Sequence, residues 1–197
     1  MKWQGKTVGY ALSGSHCTFA EVMPVIKRFV DEGANVVPIV TQTLLTTDTR
    51  FGTSDDWQRQ LKSITGNDLI STIVEAEPLG PSKLLDVLVI APCTGNTTSK
   101  LANAVTDSPV LMAAKAQMRN QRPLVLAIST NDGLGLNAAN IAKLLVCKNV
   151  YFVPFGQDNP QQKPNSLVAK MDLVPEACEA ALLGQQLQPL LIERSHS

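Results

Sequence analysis

The sequence predicts an α/β protein in which a mostly parallel sheet lies between two layers of helices. Short β-branched, apolar runs alternate along the chain with stretches whose apolar positions recur at helical spacing, the pattern of repeated strand–helix units. Those runs are almost continuously apolar, as strands covered by helices on both faces must be. Several of them end in a segment rich in Ser, Thr, Asn and Gly, and in a doubly wound sheet the carboxyl ends of the strands are where ligands sit.

The first strand is expected at residues 7–12 (TVGYAL), the second at 35–40 (NVVPIV) and a central one at 87–91 (VLVIA). Residues 124–128 (LVLAI) and 150–153 (YFV preceded by Val150) complete the set. Between the first two strands, Phe19, Val22, Met23, Ile26, Phe29 and Val30 recur at helical spacing, with Gly33 placed to close the helix. Further helical patterns cover residues 55–63, 97–105, 109–119, 137–147 and 174–187. Pro92 is expected to end the central strand. Residues 157–166 (QDNPQQKPNS) hold too many turn formers for a regular element, so a loop is expected at about 156–170, a candidate lid or oligomer contact.

The chain has 197 residues, 44% hydrophobic and 17% charged, which suits one compact domain spanning 1–197. Seventeen basic residues balance seventeen acidic ones, so no net positive field favours a nucleic-acid backbone. The opening residues carry no apolar leader and no run is long enough to span a bilayer, which sets a cytoplasmic expectation. Cys17, Cys93, Cys147 and Cys178 are scattered without a CxxC pair, so neither a metal clip nor a disulfide framework is expected, and packing roles are favoured.

Four segments follow the apolar runs. Ser13-Gly14-Ser15-His16-Cys17-Thr18 is small and hydroxyl-rich just before a helix, where free N–H groups and the helix dipole favour a phosphate; its serines could equally cap the helix. It lacks GxGxxG, so a dinucleotide is not specified. Thr41-Gln42-Thr43 could reach the same phosphate, or be an ordinary turn. In Pro92-Cys93-Thr94-Gly95-Asn96-Thr97, Gly95 permits close backbone approach, while Thr94, Asn96 and Thr97 offer hydrogen bonds without charge, which suits a planar heteroaromatic ring and a polyol chain. Ser129-Thr130-Asn131-Asp132-Gly133-Leu134-Gly135 is a further polar turn. Four such loops on one sheet edge point to a small-molecule site.

The run from Pro92 to Asp107 resembles the P-x-S-x-N-T-x-x-K-x-A-x-G-x-x-D signature of the FMN-binding flavoprotein family, which includes cysteine decarboxylases and UbiX-type flavin prenyltransferases. The resemblance implies a Rossmann-like (flavodoxin-like) fold, bound FMN and a homo-oligomer built on trimers. It places Ser13, Gly14, Ser15 and Thr41 at the FMN phosphate, Thr94, Gly95, Asn96 and Thr97 along the flavin and ribityl chain, and Ala127 and Ser129 beside the ring. Asn131 takes the place of the asparagine that binds substrate carboxylate in the decarboxylases' P-x-M-N-x-x-M-W motif, but the methionines and tryptophan are missing. Where the decarboxylases carry a histidine before the central strand, this chain has Glu77-Pro78-Leu79-Gly80. A decarboxylase or prenyltransferase of the same fold is therefore the weaker alternative.

A narrower likeness within the family rests on Ser-Gly-Ser-His-Cys-Thr, Ala-Pro-Cys-Thr-Gly-Asn-Thr and Ser-Thr-Asn-Asp-Gly-Leu. It implies one subunit of an oxidoreductase of spore-forming bacteria that aromatises a small dicarboxylate dihydropyridine, with NADP brought by a partner subunit. The alternative within that likeness is a non-catalytic chain that only stabilises the partner. Asn131 and His16 are then the candidates for the substrate carboxylates, with His16 able to serve as imidazolium or to move a proton near neutral pH.

Overall fold

The computed structural model describes residues 2–14, 18–50 and 52–193. Five parallel strands run in the order expected of a doubly wound sheet: β1 (Thr7–Leu12) lies between β2 (Asn35–Val40) and β3 (Val87–Thr94), and β4 (Leu124–Thr130) lies between β3 and β5 (Val150–Phe152). The order 2-1-3-4-5 places a topological switch point between β1 and β3, where the chain leaves the sheet in opposite directions and a crevice opens.

The crossover helices follow from the handedness of these connections. The β1-to-β2 connection contains α1 (Phe19–Asp31) and moves one way along the sheet, while the β3-to-β4 connection contains α6 (Gly95–Ala102) and α7 (Pro109–Arg119) and moves the other. Right-handed crossovers in opposite directions put their helices on opposite faces. The helix after β4, α8 (Asn137–Leu145), packs beside α6, and the last helix, α9 (Val174–Leu182), packs beside α1.

Both faces of the sheet are apolar because the strands bury nearly every side chain: β1 is buried from Val8 and β3 from Val87 to Cys93. α1 turns Phe19, Val22, Met23, Val25, Ile26 and Phe29 inward. Phe29 meets the rings of Trp3 and Tyr10 edge-on, with centroids 4.8 and 6.2 Å away. Helix ends are set by local chemistry. Thr53 caps α3 (Ser54–Thr65) through the amide of Asp56, Gly66 closes it at φ 68°, and Ser108 caps α7 just before Pro109.

Several boundaries differ from the sequence reading. Pro92 does not end the central strand: β3 continues to Thr94, pairing Cys93 with Ile128 and Thr94 with Ser129. The register shifts between Ile90 and Cys93, so Pro92 sits at an irregularity where its missing N–H breaks no ladder bond. The helix expected at 97–105 begins at Gly95 and ends at Ala102, and the one expected at 174–187 stops at Leu182. Three short helices had no clear periodic signal: α2 (Gln42–Thr46), α4 (Ile73–Ala76) and α5 (Leu79–Ser82). The polar loop gives way sooner than expected, since β7 (Leu167–Ala169) pairs antiparallel with both the top of β4 and β6 (Phe155–Gly156). That pairing carries residues 157–166 over the carboxyl edge of the sheet. Among the described residues no helix is long and apolar enough to cross a membrane.

Candidate functional site

The site is built where β1 and β3 end. Ser13, directly after β1, is 1% exposed, and its hydroxyl donates to the Pro92 carbonyl at 2.7 Å while accepting from the Thr94 amide at 3.0 Å. The Ser13 amide reaches the same carbonyl at 3.3 Å. One small side chain therefore satisfies the backbone groups that the irregularity in β3 leaves without a ladder, and holds the two strand ends together.

Beyond that tie, Thr94 caps α6 by accepting from the Thr97 amide and donating to the Thr97 hydroxyl, and Thr98 donates back to the Thr94 carbonyl at 2.9 Å. The start of α6, with its unpaired N–H groups and positive dipole end, is thereby fixed between two cavities. Gly95 has no room for a side chain: a Cβ there would lie 2.8 Å from Asn137 Nδ2, 2.9 Å from Asp132 Oδ1, and closer still to the Thr130 hydroxyl.

The first cavity, about 400 Å³, is lined by Ser13, Gly14, Thr41, Gln42, Thr43, Thr94, Asn96 and Thr97, with Lys100, Asp107, Ser108 and Leu111 closing its far side. Its one lysine is already paired, Lys100 Nζ lying 2.6 Å from Asp107. The Thr41 hydroxyl is buried and has no hydrogen-bond partner among the described residues. Such a group costs about 1–3 kcal/mol when left unsatisfied. Gly14 faces Thr43, whose methyl would stand 2.9 Å from an added Cβ.

The second cavity, about 580 Å³, shares Thr94 and Asn96 with the first and adds Thr18, Glu21, Gly95, Ser129, Thr130, Asn131, Asp132 and Asn137. Asp158, Lys163 and Val168 wall it from the loop and strand carried in by β7. Its floor is braced by a polar chain. Asn137 donates to both Asp132 oxygens at 2.9 and 3.0 Å, Asn140 donates to Asn137, Asn103 to Asn140, and Lys143 to Asn103. This chain spans the turn after β4, α8 and the end of α6.

Donation from Thr130 and Asn137 holds the Asp132 carboxyl below its usual pKa. That contribution to stability is complete above the unfolded-state value of about 3.9 and is lost as pH falls through the lowered folded value. Urea unfolding of the protein and of Asp132→Asn at a series of pH values should show a stability gap that is constant near neutrality and narrows below about pH 4. A gap independent of pH would show that the charge on Asp132 does not hold the turn. Cys93 lies under the same loop, where burial pushes its thiol up to about 12, partly offset by Thr98, so it stays protonated and packs.

Of the residues picked from the sequence, Ser13, Gly14, Thr41, Thr94, Asn96 and Thr97 come together around the smaller cavity, and Gly95, Ser129 and Asn131 around the larger one. Ala127 lines neither; it is fully buried in the body of β4. Ser15, His16 and Cys17 lie outside the described residues, as does His196. Sequence reasoning missed Thr18, Glu21, Thr130, Asp132, Asp158, Lys163 and Ser108. Asp132 and Thr130 were within a segment already marked as polar, whereas Asp158 and Lys163 enter only through the antiparallel pairing of β7, which no local pattern signals.

Fold and site define a flavodoxin-like protein with a cavity at the β1/β3 switch point lined mainly by hydroxyls, amides and a helix start. The family model described as Flavoprotein matches residues 2–176, and the chain belongs to that family. It is 58% identical over 190 residues to the B subunit of dipicolinate synthase from Bacillus subtilis (strain 168), covering 96% of this chain and 95% of that protein. The crystal structure of the dipicolinate synthase B subunit from Bacillus halodurans C is 59% identical, with a TM-score of 0.92 over 99% of this chain and 100% of that one. The FMN binding protein AtHal3 shares the fold at 20% identity, with a TM-score of 0.65 over 93% of this chain and 100% of that one.

Proposed function

We propose that this chain is the FMN-holding subunit of a dipicolinate synthase, which oxidises dihydrodipicolinate to dipicolinate during sporulation together with the enzyme's A subunit, the one that brings NADP. The observation that carries the reading is the buried Thr41 hydroxyl without a partner among the described residues, set in a hydroxyl-rich cradle at the switch point whose charged residues, Lys100 and Asp107, pair with each other. Near-full-length identity to the B subunit of dipicolinate synthase supports the choice of reaction.

In this reading Gly14, Thr41 and Thr43 hold the phosphate, with Ser15 completing the loop. Thr94, Asn96 and Thr97 follow the ribityl chain, and Gly95 lets the turn after β4 pack against the start of α6 beside it. A flavin in this position would supply an acceptor for two electrons and a proton. Ser129 and Asn131 face the larger cavity from the end of β4, where the Asn131 amide can donate to a substrate carboxylate. The protein's work is mainly to set two planar rings against each other and to keep water from the contact. His16 is retained as a second candidate for the substrate carboxylates.

The test is an FMN titration of the protein and of Thr41→Val, followed by absorbance. Wild type should bind saturably, and the variant about tenfold or more weakly, since it loses a hydrogen bond to an anionic group worth about 1.5–3 kcal/mol. Valine fills the same space and removes an unsatisfied hydroxyl, so the FMN-free variant should be at least as stable as wild type. A variant that binds FMN as tightly as wild type removes Thr41 from the site, and a wild-type chain that does not bind FMN sinks the reading. With the A subunit, NADP and dihydrodipicolinate added, bleaching of bound flavin during turnover would mark a redox role; binding without bleaching would leave the flavin a prosthetic ligand.

A further inference from the structure

Asn137, Asn140 and Lys143 recur every third residue of α8 and so form one stripe along it. α8 packs beside α6, and Asn103, which follows the last turn of α6, fits between Asn140 and Lys143. The hydrogen bonds along this seam all run one way. Lys143 donates to the side-chain oxygen of Asn103 at 3.0 Å, Asn103 to that of Asn140 at 3.1 Å, and Asn140 to that of Asn137 at 2.9 Å. Asn137 then donates to both Asp132 oxygens at 2.9 and 3.0 Å. Asn103 also donates to the Ser99 carbonyl at 2.8 Å, which ties the seam to α6.

The two ends of the seam force that direction. A lysine ammonium only donates and an ionised carboxylate only accepts, so every amide between them must turn its NH2 towards Asp132 and its oxygen towards Lys143. One reversed amide would set two oxygens, or two NH2 groups, face to face. Aligned in this way, each amide polarises the next towards Asp132. Asp132 also accepts from the Thr130 hydroxyl, so the residues on either side of Asn131 are tied to each other and to the seam. Asn131, Asp132 and Asn137 line the larger cavity, whereas Asn140, Asn103 and Lys143 line neither cavity. Apolar side chains would pack two helices together equally well; a fully paired amide seam adds two discrete directions, of which its charged ends select one.

We infer that Asn140 and Asn103 are positioning residues for the larger cavity: they carry a fixed hydrogen-bond direction from Lys143 through Asn137 to Asp132, which holds the turn that presents Asn131. The inference rests on the reading above in which Asn131 meets a substrate carboxylate. Because the direction matters as well as the contact, reversing the seam costs more than cutting it. Asn140→Asp keeps the shape and still accepts from Asn103, but it cannot donate to Asn137. Asn137 must then turn its NH2 to the new carboxylate and its oxygen to Asp132, which repels it. Asn140→Ala leaves Asn137 free to go on donating to Asp132.

The experiment compares N140D and N140A with wild type, and N140D/D132N with D132N. All are measured in 1 M salt, where a Debye length of about 3 Å screens the charge added at position 140. Titration of the Asp132 carboxyl by carbon NMR is the first readout, and calorimetry with dipicolinate on the chain supplied with FMN is the second. Glu21 from α1, and Asp158 and Lys163 from the loop before β7, line the same cavity as Asp132 and are unchanged in every variant. Asp132 should titrate at higher pH in N140D than in wild type, with N140A between them. Dipicolinate affinity should fall about fivefold or more in N140D and less in N140A. In the D132N background the N140D change should have little effect, because an amide at position 132 can offer its NH2 to the reversed Asn137. If N140A is impaired as much as N140D, or N140D behaves as wild type, or D132N does not suppress N140D, the directional seam is overturned. A wild-type chain that does not bind dipicolinate counts against the substrate role of Asn131 proposed above, while the Asp132 titration still decides the direction of the seam.

Discussion

Gly95→Ala is expected to lower FMN affinity by about tenfold or more and to destabilise the fold by about 1–3 kcal/mol, the usual cost of forcing a methyl into a packed site. The added carbon would press on Thr130, Asn137 and Asp132 together. None of the three is a loose surface end: Thr130 and Asn137 both donate to Asp132, and Asn137 is buried and continues through Asn140 and Asn103 to Lys143. Relief therefore requires either breaking that chain or displacing the first turn of α6, and the second moves Asn96 and Thr97, which line the cradle. Chemical unfolding of the FMN-free protein reads the first consequence and FMN titration the second. A Gly95→Ala protein with wild-type stability and affinity would show that the cluster is a yielding wall, and that the glycine is dispensable to the site.

Ser13→Ala is expected to cost about 1–3 kcal/mol, because it removes the hydroxyl to which the Thr94 amide donates and leaves the buried Pro92 carbonyl with only the longer bond from the backbone amide of residue 13. The hydroxyl is the bond that ties them across the switch point, at 2.7 and 3.0 Å. The urea midpoint should fall with an unchanged slope, since the defect is local and the surface exposed on unfolding stays the same. FMN affinity should fall as well, although the serine hydroxyl is already engaged within the protein, because Thr94 caps α6 and loses its anchor. A stability loss without an affinity loss would separate the two roles and leave Ser13 as a fastening of the strands alone.

Much of this site was legible along the chain. The strand runs are long, apolar and separated by helical periodicity, and the sheet's direction of ligand binding follows from that alternation alone. Hydroxyl-rich residues after β1, β2, β3 and β4 accordingly converge, and Gly14, Thr41, Thr94, Asn96 and Thr97 do meet around one cavity. Thr41 was the weakest of those signals in sequence, where a threonine after a strand is an ordinary turn residue. In the structure its hydroxyl is buried and has no partner among the described residues.

Other features depend on partners far away in the chain. Pro92 reads as a strand breaker until β4 is seen to resume pairing at Cys93, past the irregularity. Ala127, which the family resemblance sets beside the flavin ring, lies two residues short of Ser129 and is fully buried in β4. Asp158 and Lys163 belong to a loop whose composition says only that it is irregular, and β7 alone brings them to the cavity through its pairing with β4 and β6.

The sequence by itself determined the fold class, the strands, the crossover helices and the edge of the sheet where the polar loops gather, because hydrophobic periodicity and turn chemistry act over a few residues. The tertiary structure alone decided that the Thr41 hydroxyl is buried without a partner among the described residues, and which carboxylates wall the second cavity. Those depend on register, on strand order and on contacts between segments tens of residues apart, and no local pattern encodes the sum of such contacts.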